Sequence, residues 1–294
     1  LELQARDIRI LEFIGELGTA DTDMVRGREF PNDGSGRACQ QRLKKLADAG
    51  LLKRKRIISD DGLLRGGSQP MLYFLTTTGA DLVACETGVQ PRRISNSEPK
   101  QFTLRHRIET VRVRMAMDAG AELANLNPLE WIMEQDIDPS IRYSRSRSPT
   151  DYLLLHDSFE HGDRRVVFRP DAACHIQVRR PSGSGHKSLL GYFEIDLSSE
   201  GHQQWERKLW GIEAFLSDVK AWQRHWPKVS TPALVVLVLC KSKQRIRGLS
   251  GVVRGSTAAK QVRFATLPLK PSDALYRPIW LDCDGNQRSI MKGN

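Results

Sequence analysis

The sequence predicts a mixed α+β / α/β chain in two parts, a helical unit closed by a β-hairpin and a larger unit built on a mixed sheet. Helix-period apolar patterns fill the first 88 residues and end in two short strand-like runs. Further on, apolar strand-length runs alternate with one long amphipathic helix, the pattern of a sheet covered by helices. Between them Glu86 to Lys100 is polar and aperiodic, with Pro91, Arg92, Arg93, Ser95 and Pro99. The expected division is residues 1–88, a linker over 89–101, and 102–294.

In the first unit Ala5 to Leu17 reads as a helix with Ile8, Leu11, Ile14 and Leu17 on one face, stopped by Gly18. Thr19 to Phe30 reads as a second helix, entered through Asp21-Thr22-Asp23. After the turn Pro31-Asn32-Asp33-Gly34 comes a third, Gly36 to Ala49. It turns Cys39, Leu43 and Leu46 inward and Arg37, Gln40, Gln41, Lys44 and Lys45 outward. Leu51 to Ile58 is a strand, Ser59 to Ser68 a polar tip, Met71 to Leu75 the returning strand, and Thr77 starts another helix. Three helices followed by a hairpin is the winged helix-turn-helix order. The stretch RLKKLADAGLLKRKR fits a recognition helix running into a wing strand. Arg37 to Arg56 holds eight basic residues against one acid, Asp48. Gln and Arg read base edges, and Lys and Arg neutralise phosphates. Arg37, Gln40, Gln41, Lys44, Lys45, Lys53, Arg54, Lys55 and Arg56 are therefore the expected contacts to double-stranded DNA. A protein-docking role for such a module is the alternative.

The second unit opens with a long helix, Thr103 to Ala124, turning Leu104, Ile108, Val111 and Met115 inward. Glu130 to Glu134 is its first strand, and Tyr143 to Thr150 an arginine- and serine-rich loop. Asp171 follows the apolar run Val166-Val167-Phe168, and Glu194 follows Leu189 to Phe193; each run reads as a buried strand, with Pro181 to Lys187 the turn between the acid-bearing strands. Desolvating an acid is costly unless it meets a cation or a partner. Two converging carboxylates suit a hard cation, Mg²⁺ or Mn²⁺, and this is the layout of many divalent-metal nucleases. The pattern equally admits a turn cap at Asp171 and a strand end at Glu194 beside a basic residue. In the helix from Gly201 to Trp222, Trp205, Leu209, Ile212, Leu216 and Val219 form the buried stripe, while Glu206, Arg207, Glu213 and Lys220 face away. Lys208 falls at the margin of the stripe, on the side of Glu194 and Asp196, where it could orient water and offset phosphate charge. The alternative is a lysine snorkelling to solvent. Ala233 to Leu239 is an apolar buried-strand run, and Gln261 to Leu267 and Ile279 to Leu281 supply further strands.

Across the 294 residues the net charge is +10 and the pI about 9.6, which points to a polyanionic partner. No apolar run is long enough to span a membrane and no export signal opens the sequence, so a cytoplasmic protein is expected. The five cysteines are scattered without a CxxC pair, which argues against structural zinc and a disulfide frame. The seven histidines form no HxH cluster, and no GxxxxGK[ST] loop is present. Nothing singles out Tyr73, Tyr143, Tyr152, Tyr192 or Tyr276 as a nucleophile.

RDIRILEFIGELG, RLKKLADAGLL, YFLTTTGADLV, RHRIETVRV, RPDA and FEIDLSSEG…KLWGIEAF, in that order, resemble the replication-relaxation proteins of plasmids. The resemblance implies a winged helix joined to a restriction-endonuclease-like, PD-(D/E)XK mixed α/β domain, similar to one class of plasmid mobilisation relaxase. It implies binding at a specific plasmid site with metal-dependent nicking or cleavage, Asp171 and Glu194 as metal ligands and Lys208 as a displaced catalytic lysine; a homodimer is compatible with it. Asp196 stands where the parent pattern has its lysine, a departure that leaves open a non-catalytic replication or transcription regulator. His106 and Glu134 read as polar residues at a domain seam, with lining the same cleft as the alternative.

Overall fold

The computed structural model describes residues 2–57, 71–89, 91, 101–142, 144, 148–179, 185–198 and 201–291. The predicted wing tip, most of the linker, the start of the Pro181–Lys187 turn and part of the arginine-serine loop lie outside them. The chain divides into two compact units, Leu1–Val111 and Arg112–Asn294.

In the first unit α1 (Ala5–Leu17) ends at Gly18, whose φ of 77° is the left-handed conformation glycine favours. Its buried stripe is Asp7, Ile10, Leu11, Ile14 and Leu17, so Ile10 takes the place expected for Ile8. Asp7 is tolerated there because Arg42 ion-pairs with it. The second helix starts later than the pattern suggested. Ala20–Asp21 is a short strand, β1, and the Asp21 carboxylate accepts the Met24 N–H at 2.9 Å to cap α2 (Thr22–Glu29). α3 (Arg37–Asp48) buries Cys39, Leu43 and Leu46. β2 (Leu52–Arg56) and β3 (Met71–Leu75) pair antiparallel, and the sheet order is β1-β3-β2. α4 (Thr77–Thr87) is capped by the Thr76 hydroxyl, which accepts the Gly79 N–H at 3.0 Å. α5 (Gln101–Leu123) carries the chain past the division between the units. Met115 on it is only half-buried, while Val113 and Met117 are buried.

The second unit is a mixed sheet. Its strands are β4 (Glu130–Met133), β7 (Ala172–Arg179), β8 (His186–Asp196), β9 (Ala233–Cys240), β10 (Val262–Thr266), β11 (Trp280–Leu281) and β12 (Gln287–Arg288). A separate hairpin, β5 (Asp157–His161) with β6 (Arg164–Phe168), comes between β4 and β7 in sequence. The sheet order is β12-β11-β10-β9-β8-β7-β4; β8, β9 and β10 run parallel and the other pairs antiparallel. α6 (His202–Ser217), followed by the short α7 (Ala221–His225), connects β8 to β9, and α8 (Lys243–Val253) connects β9 to β10. Trp205, Leu209, Ile212 and Phe215 of α6 join Phe168, Tyr192, Val236 and Val238 in one core, with the Phe168 and Phe215 rings stacked at 4.2 Å.

Two readings of the apolar pattern are corrected. Val166-Val167-Phe168 belongs to the β5–β6 hairpin, not to the strand bearing Asp171, and Val167 is 39% exposed. Asp171 instead precedes β7, because Pro170 cannot donate to a ladder and separates the two strands. The amphipathic helix stops at Ser217, so Val219 falls beyond it and is 80% exposed. Gly211 lets α6 lie against β6: a Cβ there would sit 2.1 Å from the Val167 carbonyl oxygen.

Candidate functional site

The first unit presents a basic face. Arg37, Gln40, Gln41, Lys44 and Lys45 on α3 are exposed, because its apolar side is committed to the core. Lys53, Arg54 and Arg56 on β2 are exposed and Lys55 half-buried. Arg54 approaches Asp48 at 3.8 Å. The remaining cation of α3, Arg42, is withdrawn to fasten α3 to α1 through Asp7. Burial alone would raise the Asp7 carboxyl; hydrogen bonds from Arg42 and the Gln4 N–H outweigh it and hold it below the usual carboxylate range.

In the second unit the acids gather at one end of the adjacent strands β4, β7 and β8. Asp171, just ahead of β7, joins both neighbours. Its N–H donates to the Phe193 carbonyl at 2.8 Å, its carbonyl accepts the Glu134 N–H at 3.0 Å, and its Oδ2 accepts the Ile195 N–H at 2.7 Å. Carboxylate oxygens of Asp171 and Glu134 lie within 4.8 Å of one another. Asp171 is buried and Glu134 half-buried. Glu194, on β8, has a side chain only 3% exposed, and its Oε2 accepts from Lys208 Nζ at 2.9 Å. Lys208 therefore does not snorkel away; it reaches from α6 onto the sheet, with Nζ 5.7 Å from the centre of the Trp205 ring.

Asp196 has other neighbours. It receives Arg245 Nη2 at 2.7 Å, Trp205 Nε1 at 2.5 Å and the Ser198 N–H at 2.7 Å, which tie the end of β8 to α6 and α8. Burial pushes its pKa up, but these donors outweigh burial and lower it below the ordinary value. Asp171 and Glu134, the acids brought within 4.8 Å of each other, offer oxygen donors, which suit a hard divalent cation; Glu194 meets Lys208 instead. His106 lies on α5 in the first unit.

Glu134 lies beside Asp171, as the alternative reading of it as a cleft residue allowed and the reading as a seam residue did not. Arg245 was visible only as one of several basic residues after the apolar β9 run. Of the tyrosines, Tyr192 is fully buried against His225, with its hydroxyl 3.1 Å from Nδ1, and burial raises its pKa, which disfavours it as a nucleophile. The five cysteines are free. Among the described residues no helix is long and apolar enough to cross a membrane.

A family model described as replication-relaxation matches residues 11–229. No curated protein matches the chain. Among solved structures, Bacillus subtilis PadR in complex with operator DNA is similar at 15% identity, over 42% of this chain and 73% of that chain, with a TM-score of 0.24.

Proposed function

The chain belongs to the replication-relaxation family, and on that premise we propose that it is a DNA-binding protein of plasmid replication or mobilisation whose second unit nicks or cleaves DNA with Mg²⁺ or Mn²⁺. The observation that carries this reading is the proximity of the Asp171 and Glu134 carboxylates beside a strand whose Glu194 is paired to Lys208. Such acids resist burial unless a cation meets them. A bound divalent ion would supply an activated water and neutralise charge at the scissile phosphate. Asp171, Glu134 and Glu194 would hold it. Lys208, an ammonium with three donors, would stabilise the charge that develops on the phosphate oxygens. Asp196 is then a positioning residue, which anchors the helix carrying Lys208 through Trp205. The first unit, read as a winged helix, would select the site on duplex DNA through α3 and β2, and a homodimer would place two such contacts on one site.

One observation favours a second reading, a regulator that binds DNA without cutting it. The Glu194 charge is already met by Lys208, so that carboxylate has a partner without a metal. Supercoiled plasmid separates the two. Under the first reading wild type converts it to open circle only with Mg²⁺ or Mn²⁺, and Asp171→Asn binds but does not convert it. Plasmid that stays supercoiled while bound, at every metal concentration, establishes the regulator.

A further inference from the structure

Beside the acids, the second unit holds an open groove of about 730 Å³ between the β5–β6 hairpin and α6. Its lining includes Arg164, Arg165, Gln204, Arg207, Lys208 and Trp210, and among the described residues no carboxylate lines it. The hairpin and the helix are held at fixed spacing, because Gly211 lets the α6 backbone meet β6 at Val167. Arg164, Arg165 and Arg207 are exposed, and none of them forms an ion pair among the described residues. Three exposed guanidiniums facing one space repel one another, an arrangement that an anion would relieve. The Arg164 guanidinium lies 5.0 Å from the centre of the half-buried Trp210 ring, so the groove offers an aromatic and guanidinium surface as well as charge.

We infer that this groove binds a single nucleic-acid strand, its phosphates on Arg164, Arg165 and Arg207 and a base against Trp210. Guanidinium forks match phosphate oxygens, and a half-exposed indole beside them is the stacking element of sequence-tolerant strand binding. An acidic peptide would use the charges but not the ring. The volume falls in the range of about 300–1,000 Å³ typical of small-molecule clefts, which is room for a short stretch of one strand. The inference deepens the nuclease reading and rests on it for its purpose: Lys208 lines the groove and also pairs with Glu194, so a strand lying there has its backbone beside the acids.

The test is fluorescence anisotropy with a labelled single-stranded oligodeoxyribonucleotide. The full chain carries Lys44→Glu and Lys55→Glu throughout, so that the first unit contributes little. Adding Arg164→Ala with Arg207→Ala lowers the salt slope of log affinity by about 1.4, since each single-strand phosphate neutralised contributes about 0.7. Trp210→Ala weakens binding by about fivefold or more, and Trp210→Phe restores most of it. Unchanged slope and affinity in the double arginine variant overturn the inference, and so does polyglutamate displacing the strand as well as an unlabelled oligonucleotide does. Duplex bound as tightly as single strand, with the same loss in the arginine variant, also overturns it. Both arginines are exposed, so that variant decides the matter even if Trp210→Ala unfolds. Failure of the nuclease reading is distinguishable: strand binding that is lost in the arginine variant but kept in Asp171→Asn supports the groove even when wild type cuts no plasmid.

Discussion

Lys208→Met probes the centre of the proposed site, because it removes the ammonium and keeps an unbranched apolar stem at the edge of the α6 stripe. The Glu194 side chain is 3% exposed and that of Lys208 28%. Removing one partner of a fully buried pair costs about 3–5 kcal/mol, while an exposed pair contributes about 0–1. The intermediate exposure of Lys208 places the expected destabilisation near about 2 kcal/mol. Tryptophan fluorescence in urea measures it selectively, since all six tryptophans, Trp131, Trp205, Trp210, Trp222, Trp226 and Trp280, lie in the second unit. Combining Lys208→Met with Glu194→Gln removes the stranded charge, so the double variant should recover much of that stability. Cleavage should not recover. Removing one preorganised charge from a transition state costs about a hundredfold or more in rate, and the double variant still lacks it. Wild-type stability and wild-type cleavage in Lys208→Met would refute both the ion pair and the catalytic assignment.

Asp196 gives a pH prediction. Its folded pKa is depressed, so the stability it contributes is present above the unfolded value of about 3.9 and is lost as pH falls through the folded one. Urea midpoints measured down through this acidic window should fall less steeply for Asp196→Asn than for wild type; parallel curves would count against the Arg245 and Trp205 anchoring. Lys44→Glu with Lys55→Glu should weaken duplex binding and flatten its salt dependence by about 0.9 for each phosphate no longer neutralised, and an unchanged slope would point to protein docking instead. Gly211→Ala should lower the unfolding midpoint of the second unit, because the new methyl would sit 2.1 Å from the Val167 carbonyl oxygen; a cost below about 1 kcal/mol would show that α6 and β6 separate easily.

Elements with a strong period were legible in the sequence. α3 and its core face of Cys39, Leu43 and Leu46 follow from three- and four-residue spacing, and β9 from an uninterrupted apolar run. Glu194 at the end of the Leu189–Phe193 run was legible too, since a carboxylate closing an apolar run is a local signal. What depended on distant partners was not. Asp7 is buried on α1 only because Arg42 arrives from another helix, and no spacing within α1 announces it. Val166 to Phe168 has the composition of a core strand, yet its partner is β5 and its neighbour is α6, facts set by tertiary packing. The same holds for Arg245 on Asp196, a pair distant in sequence.

Calorimetric titration with Mn²⁺ tests most directly whether these carboxylates form a cation site. Wild type should show one saturable site that is lost in Asp171→Asn and weakened in Glu134→Gln. Asp196→Asn should keep it, because that carboxylate is committed to Arg245, Trp205 and Ser198. Mn²⁺ binding of equal strength in wild type and Asp171→Asn, or none in wild type, would contradict a metal-dependent site at the ends of β4, β7 and β8.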